Sequence, residues 1–165
     1  MINDIRKALI DLIDTKRQDT ASRLSQIKGL TIGDPYTFAN SELPAVAIVG
    51  DEGNIASRGT EYDRQTRSLT LVVVQSIKDT LGANDPGRVE WDFRLSEMVE
   101  GSIDDPEDCL IGLIRKNFAL QVTGNSKSKA TLQGDISWRY SPTQRAEDPF
   151  HECRISLTYS LTSSR

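Results

Sequence analysis

The chain has 165 residues, 37% hydrophobic and 27% charged, with 20 Lys and Arg against 24 Asp and Glu for a net charge of -4. A chain of this length folds most simply as one domain that buries roughly two-thirds of its unfolded surface, so it needs no disulfide staple and Cys109 and Cys153 are read as reduced. The acidic balance opposes the counterion-release term that draws proteins onto nucleic acid; there is no run of apolar residues long enough to span a bilayer, and no basic-then-apolar leader at the start.

Asn3 or Asp4 can cap a first helix, in which Ile5, Ala8, Leu9, Leu12 and Ile13 recur at three and four residue steps and form one apolar stripe. The stripe thins after Asp14, with Leu24 and Ile27 near its continuation and Gly29 as a stop, which predicts a bent or two-part helix ending near Lys28. Leu30 to Ile32 reads as a short strand. Gly33-Asp-Pro35 and Asn40 to Pro44 are turn signals leading into a strand over Ala45 to Val49, with Pro44 at its entrance.

Residues 50–67 carry Asp51, Glu52, Arg58, Glu61, Asp63, Arg64 and Arg67 with three glycines and no apolar run, so they are expected to form a long loop that orders against something else. Arg58, Glu61, Asp63, Arg64 and Arg67 are its candidate interface charges. A basic patch of Arg58, Arg64 and Arg67, and a smaller group of Lys127 and Lys129, compete with the plainer reading of solvated loop charges. Leu69 to Val74 is apolar at nearly every position and rich in valine, which suits a central strand covered on both faces.

Lys78 to Gly87 is a polar connection into a second helix starting near Pro86 or Arg88, with a stripe of Trp91, Leu95, Met98 and Val99 and an end near Gly101. Asp104 to Asp108 concentrates negative charge ahead of Cys109 to Ile114, a placement that favours a short helix through its N-terminal dipole. Asn117 to Val122 reads as a strand. Ile136, Trp138 and Tyr140 share one face of another, with their burial in the core expected. Ser141 to Pro149 reads as a loop, and Ile155, Leu157, Tyr159 and Leu161 share one face of the last strand. The expectation is an α+β fold, an antiparallel or mixed sheet of about four to five strands with two main helices packed on one face and long polar loops, as a single domain over residues 1–165.

Catalytic and metal chemistries have thin support. His151 and Cys153 with Cys109 offer at most three soft ligands at no zinc-finger spacing, and a Cys–His nucleophile pair lacks a strained turn or oxyanion site beside it. Asp104, Asp105, Glu107 and Asp108, or Asp51 and Glu52, supply oxygens suited to calcium or magnesium but not the spacing of an EF-hand loop, and a charged helix entrance explains the first group without a metal. No cofactor-binding motif is present, and no enzymatic activity is expected. The rival reading is a small metal-dependent enzyme or ligand-binding module using Asp104 to Asp108 or His151 and Cys153.

Taken in order, the amphipathic first helix, Leu43-Pro-Ala-Val46 and its strand, the charged segment, the Leu69 to Val74 strand, the middle helix, Leu110-Ile-Gly-Leu113 and the final strand with Tyr159 resemble the neck and tail-completion proteins of tailed bacteriophages, tail terminators above all. The stretches 124–135 and 141–149 depart from that pattern. The resemblance implies a virion protein assembled in the host cytoplasm, a subunit of a ring commonly of six copies. Such a ring sits on the tail-tube protein, stops the tube's polymerisation, faces the head-tail connector protein and lets DNA pass without specific binding. A head-completion role in the neck is the near alternative.

Overall fold

The computed structural model describes residues 2–58, 62–76, 94–122, 129–145 and 148–164. Helix α1 spans Ile2–Arg17, with Asp4 in its first turn and Lys16 and Arg17 in its last, each sign facing the helix dipole end it complements. Ile5, Leu9 and Ile13 are fully buried, one per helical turn, and burial of each contributes about 1.5–3 kcal/mol. The chain then makes a 3-10 turn over Arg23–Gln26, capped by the Ser22 hydroxyl, before strand β1, Gly29–Ile32. The two-part first helix expected from the sequence is thus α1 plus this turn, and Arg17 Nη1 ties them to the strand by donating to the Lys28 carbonyl at 2.8 Å.

Two further 3-10 turns, Pro35–Thr37 and Asn40–Glu42, and a cis Leu43–Pro44 bond lead into β2, Ala45–Arg58. Strand β3 is Tyr62–Ser76, α2 covers residues 94–100, and α3 is Leu110–Lys116. Strands β4, Ala119–Gln121; β5, Lys129–Leu132; β6, Ser137–Arg145; and β7, Asp148–Ser164, complete the order. The start of the second helix, with Trp91, and the connection before it lie outside the described residues.

The sheet is seven-stranded in the order β1-β2-β3-β7-β5-β4, with β6 also on β7. It is mixed: β1 runs parallel to β2 and all other pairs are antiparallel. The α+β class holds, while the sheet has seven strands where about four to five were expected, and two of its segments depart from the expected pattern. Residues 129–132, inside a polar stretch, form β5 against the outer end of β7, and 141–149, expected as a loop, is mostly strand in the β6–β7 hairpin, paired through Arg145↔Asp148. Both segments are strand through backbone pairing, β5 with β4 and β7 and the β6 end with β7, which does not require apolar alternation of their side chains.

One face of the sheet packs against the helices. Its core gathers Val46 and Ile48 from β2, Leu69, Leu71 and Val73 from β3, and Cys153, Ile155, Leu157, Tyr159 and Leu161 from β7, under α1, α2 and α3. The opposite face holds a smaller cluster of Leu43, Ala45, Val72, Val74 and Phe150, with Phe38 and Val49 against it. Period-two alternation along Leu69 to Val74 therefore feeds two cores at once, as its continuous apolar run predicts.

Candidate functional site

The charged segment 50–67 is not a loop. After an irregularity between Gly50 and Gly53, β2 and β3 resume pairing from Gly53↔Arg67 to Arg58↔Tyr62, leaving only residues 59–61 between them. Charged and polar side chains can occupy a strand when both of its backbone edges are paired, and here β3 bonds β2 on one side and β7 on the other, out to Tyr62↔Ser164. The three strands run 14, 15 and 17 residues. A 17-residue strand is about 56 Å long if straight, against about 40 Å for the diameter of a compact domain of this length. The paired far ends of β2, β3 and β7, residues 53–58, 62–67 and 159–164, make up an arm of the sheet whose root, at Tyr159 and Leu161, belongs to the helix-side core.

Of the candidate interface charges, Arg58 ends β2, Asp63 pairs in register with Ser57 near the tip, and Glu61 lies outside the described residues. Arg64 and Arg67 are three residues apart on one strand, so they take opposite faces, and the single basic patch expected from their closeness in sequence is split. Arg64 donates through Nη2 to Gln133 Oε1 at 2.6 Å, which anchors the arm to the residue after β5. Arg67 stands opposite Tyr159 in the register, and its Nε and the Tyr159 hydroxyl are buried without a hydrogen-bond partner among the described residues. The charges the sequence singled out thus do different work along the arm.

Of the acidic residues 104–108, Asp105, Glu107 and Asp108 are engaged in the fold. Asp108 accepts from the Ser22 hydroxyl at 2.5 Å and the Arg23 amide at 2.7 Å, and Lys16 Nζ lies 3.8 Å away. Partial burial pushes its carboxyl up, but these two hydrogen bonds and the Lys16 and Arg23 charges outweigh burial and hold it below the ordinary carboxylate value. Arg23 answers in kind, donating to the Asp105 carbonyl at 2.9 Å and the Ser102 hydroxyl at 2.6 Å, while Glu107 pairs with Lys116. The cluster joins the turn after α1 to the α2–α3 connection. Among the described residues no group of three or more His, Cys, Asp and Glu is placed to hold a metal ion.

Cys109 is the N-cap of α3, its sulfur accepting from the Gly112 amide at 3.2 Å, and burial pushes its thiol up. Cys153 is fully buried in β7, with its thiol pushed up to about 12 by burial. His151 shares that face of β7 and stands opposite Gln75 of β3. A thiol raised this far is protonated at neutral pH and is a poor nucleophile and metal ligand in that form.

Two features escaped the sequence. On the second face Glu152, 4% exposed, accepts from the Tyr36 hydroxyl at 2.8 Å and Arg154 Nε at 3.0 Å, and Arg154 Nη2 donates to the same hydroxyl at 3.1 Å. This triangle pins the Pro35–Thr37 turn to the sheet; a glutamate at a position facing inward on a strand was its one signal. On the helix face, Trp138 and Tyr140 are 41% and 39% exposed, not buried as expected, because β6 pairs only with β7 among the described residues; Phe118 is 58% exposed. Ile111, Phe118, Leu132, Ile136 and Trp138 line a groove of about 510 Å³, with Arg115, Gly134 and Asp135 completing its wall. The Leu132 amide donates to the Phe118 carbonyl at 2.7 Å and holds that ring beside β5.

No family model matches the chain, and no curated protein matches it. Among solved structures, one protein chain whose name states no function is similar over 98% of this chain and 95% of its own, at 17% identity and a TM-score of 0.48. A likeness at that level says nothing of what this chain binds.

Proposed function

We propose that this chain is a non-enzymatic virion assembly protein, a tail terminator that closes into a ring on the end of a bacteriophage tail tube, stops its growth and joins it to the head connector. The observation that supports this reading is the arm. Three long strands paired to their far ends carry charged residues of both signs in their sequence, an arrangement suited to contact with large neighbours and not to enclosing a small substrate. Repeating one such contact head to tail generates a ring, the form a tube end requires. A net charge of -4 suits a channel that lets DNA through without holding it.

The titratable groups of the rival metal-enzyme reading are engaged elsewhere: Asp108 holds the turn after α1, and Cys109 caps α3. Co-sedimentation with tail-tube protein and, separately, with connector protein tests the proposal. The chain should bind tube ends and halt their elongation at about one ring per end. Binding to connector alone would move it to a head-completion role, and binding to neither would remove it from the neck.

A further inference from the structure

One row across the sheet carries two buried donor groups without an acceptor among the described residues. Gly53, Arg67, Tyr159 and Leu132 stand side by side in it, on β2, β3, β7 and β5. Tyr159 is fully buried and its hydroxyl has no hydrogen-bond partner; the same holds for Arg67 Nε. Arg67 as a whole is partly exposed, and its guanidinium makes no ion pair among the described residues. Phenylalanine would fill the space of the Tyr159 ring without a buried hydroxyl to satisfy, and a cation drawn partly out of water gains from an anion beside it.

The same row is where the arm can bend. Between Gly50↔Leu69 and Gly53↔Arg67, β2 places residues 51 and 52 against Ser68 alone on β3, so one extra residue sits in β2 with a glycine on each side of the irregularity. Such a bulge bends its strand and interrupts the ladder, and glycine accepts the backbone angles that a change of bend requires. Gly53 also leaves Arg67 without a side-chain neighbour from β2 in its own row. Beyond the row no described residue of β3 belongs to either apolar core, and on β7 only Leu161 does, so tilting the arm disturbs little packing.

We infer that Arg67 and the Tyr159 hydroxyl form a carboxylate site completed only on assembly, by an Asp or Glu side chain of the next copy in the ring, with the arm bending at the β2 bulge to admit it. The inference rests on the ring reading and names the part of the arm that makes the contact. Two donors in one row converge on a single acceptor, and the charge of one of them selects a carboxylate over a neutral carbonyl. With 24 carboxylate residues against 20 cationic ones, a second copy is a ready source of that ligand, while the same acidic balance disfavours a DNA phosphate. The isolated chain gives up stability to these orphan donors, and the contact between copies recovers it.

Tyr159→Phe and Arg67→Met test the site through two readouts: thermal unfolding at a dilution where the wild type is monomeric, and light scattering over rising concentration. The unfolding midpoint of each variant should stay level or rise, because neither substitution removes a bond of the isolated chain, while self-association should weaken about tenfold or more. Arg67→Lys, which keeps the charge but not the planar fork, should fall between Arg67→Met and wild type. A midpoint that falls in Tyr159→Phe would show the hydroxyl already satisfied in the isolated chain, and wild-type association in both variants would show that no neighbour uses the pair; either result overturns the site and leaves the ring reading standing. Association kept, with binding to a DNA fragment lost in Arg67→Met, would overturn it in favour of a phosphate. A wild-type chain that is monomeric even with tail-tube protein present would overturn both the site and the ring.

Discussion

Gly112 shows how one residue position can carry a motif. It sits inside Leu110-Ile-Gly-Leu113, and a Cβ there would lie 2.4 Å from the Glu107 carbonyl oxygen and 2.8 Å from its carbon, backbone atoms that cannot rotate away. The short helix α3 is thereby pressed against the connection that precedes it. Gly112→Ala should lower stability by about 1–3 kcal/mol in urea unfolding, as overpacking does, despite alanine's better helix propensity; an unchanged or raised midpoint would show that the connection yields freely. The two thiols are a second residue-scale case. Burial raises both, Cys153 to about 12, so the folded chain binds these protons more tightly than the unfolded one. Their contribution to stability is complete below the ordinary thiol value and is lost as pH rises from there through about 12. Native protein should therefore react with a thiol reagent at pH 8 far more slowly than the urea-unfolded chain, which exposes both sulfurs. Fast stoichiometric labelling of the native chain would revive the nucleophile reading.

At the scale of elements, the helical layer is held to itself by a polar joint as well as by its core. Asp108 is the centre of that joint: it is 16% exposed, accepts from Ser22 and Arg23 and lies near Lys16. Asp108→Ala should cost about 1–3 kcal/mol, the range for losing hydrogen bonds to a charged group, and leave the Arg23 guanidinium still bonded to Ser102 and Asp105. Because its carboxyl is depressed in the fold, the stability it provides is present above the unfolded Asp value and lost as pH falls through the folded one; the variant should show a shallower loss in acid. An equal acid slope in both proteins would place the depression elsewhere. This joint also marks where sequence reading stops. The stripe Ile5, Leu9, Ile13 and the alternation Ile155, Leu157, Tyr159, Leu161 announce their elements because apolar spacing and burial share one period. Asp108 reads locally as a helix-dipole charge, and only a contact across 86 positions to Ser22 reveals its work. The arm was misread for a related reason: residues 53–58 are strand by virtue of pairing with 62–67, and 62–67 by pairing with them and with β7, and backbone pairing of this kind leaves no signature in side-chain hydropathy.

For the whole molecule, the central question is whether body and arm unfold together. Val72, 1% exposed, sits mid-sheet between Ala47 of β2 and Arg154 of β7, with cores on both faces of its strand, so its amide is freed only by global unfolding. Arg64 to Ser68, further along the same strand and equally paired, are all partly exposed, and none belongs to either core. Backbone pairing without apolar cover opens by local fluctuation. Amide exchange of the isolated chain should therefore grade along β3, slowest at residues 71–73 and at least about tenfold faster at 64–67, where opening needs less than the global free energy. If the arm serves the proposed ring, exchange at 64–67 should slow on assembly while 71–73 are unchanged, since a partner stabilises only what it covers. Uniform protection along β3 in the isolated chain would mean that the arm already belongs to the cooperative body, and the physical reason for assigning it to a neighbour would be gone.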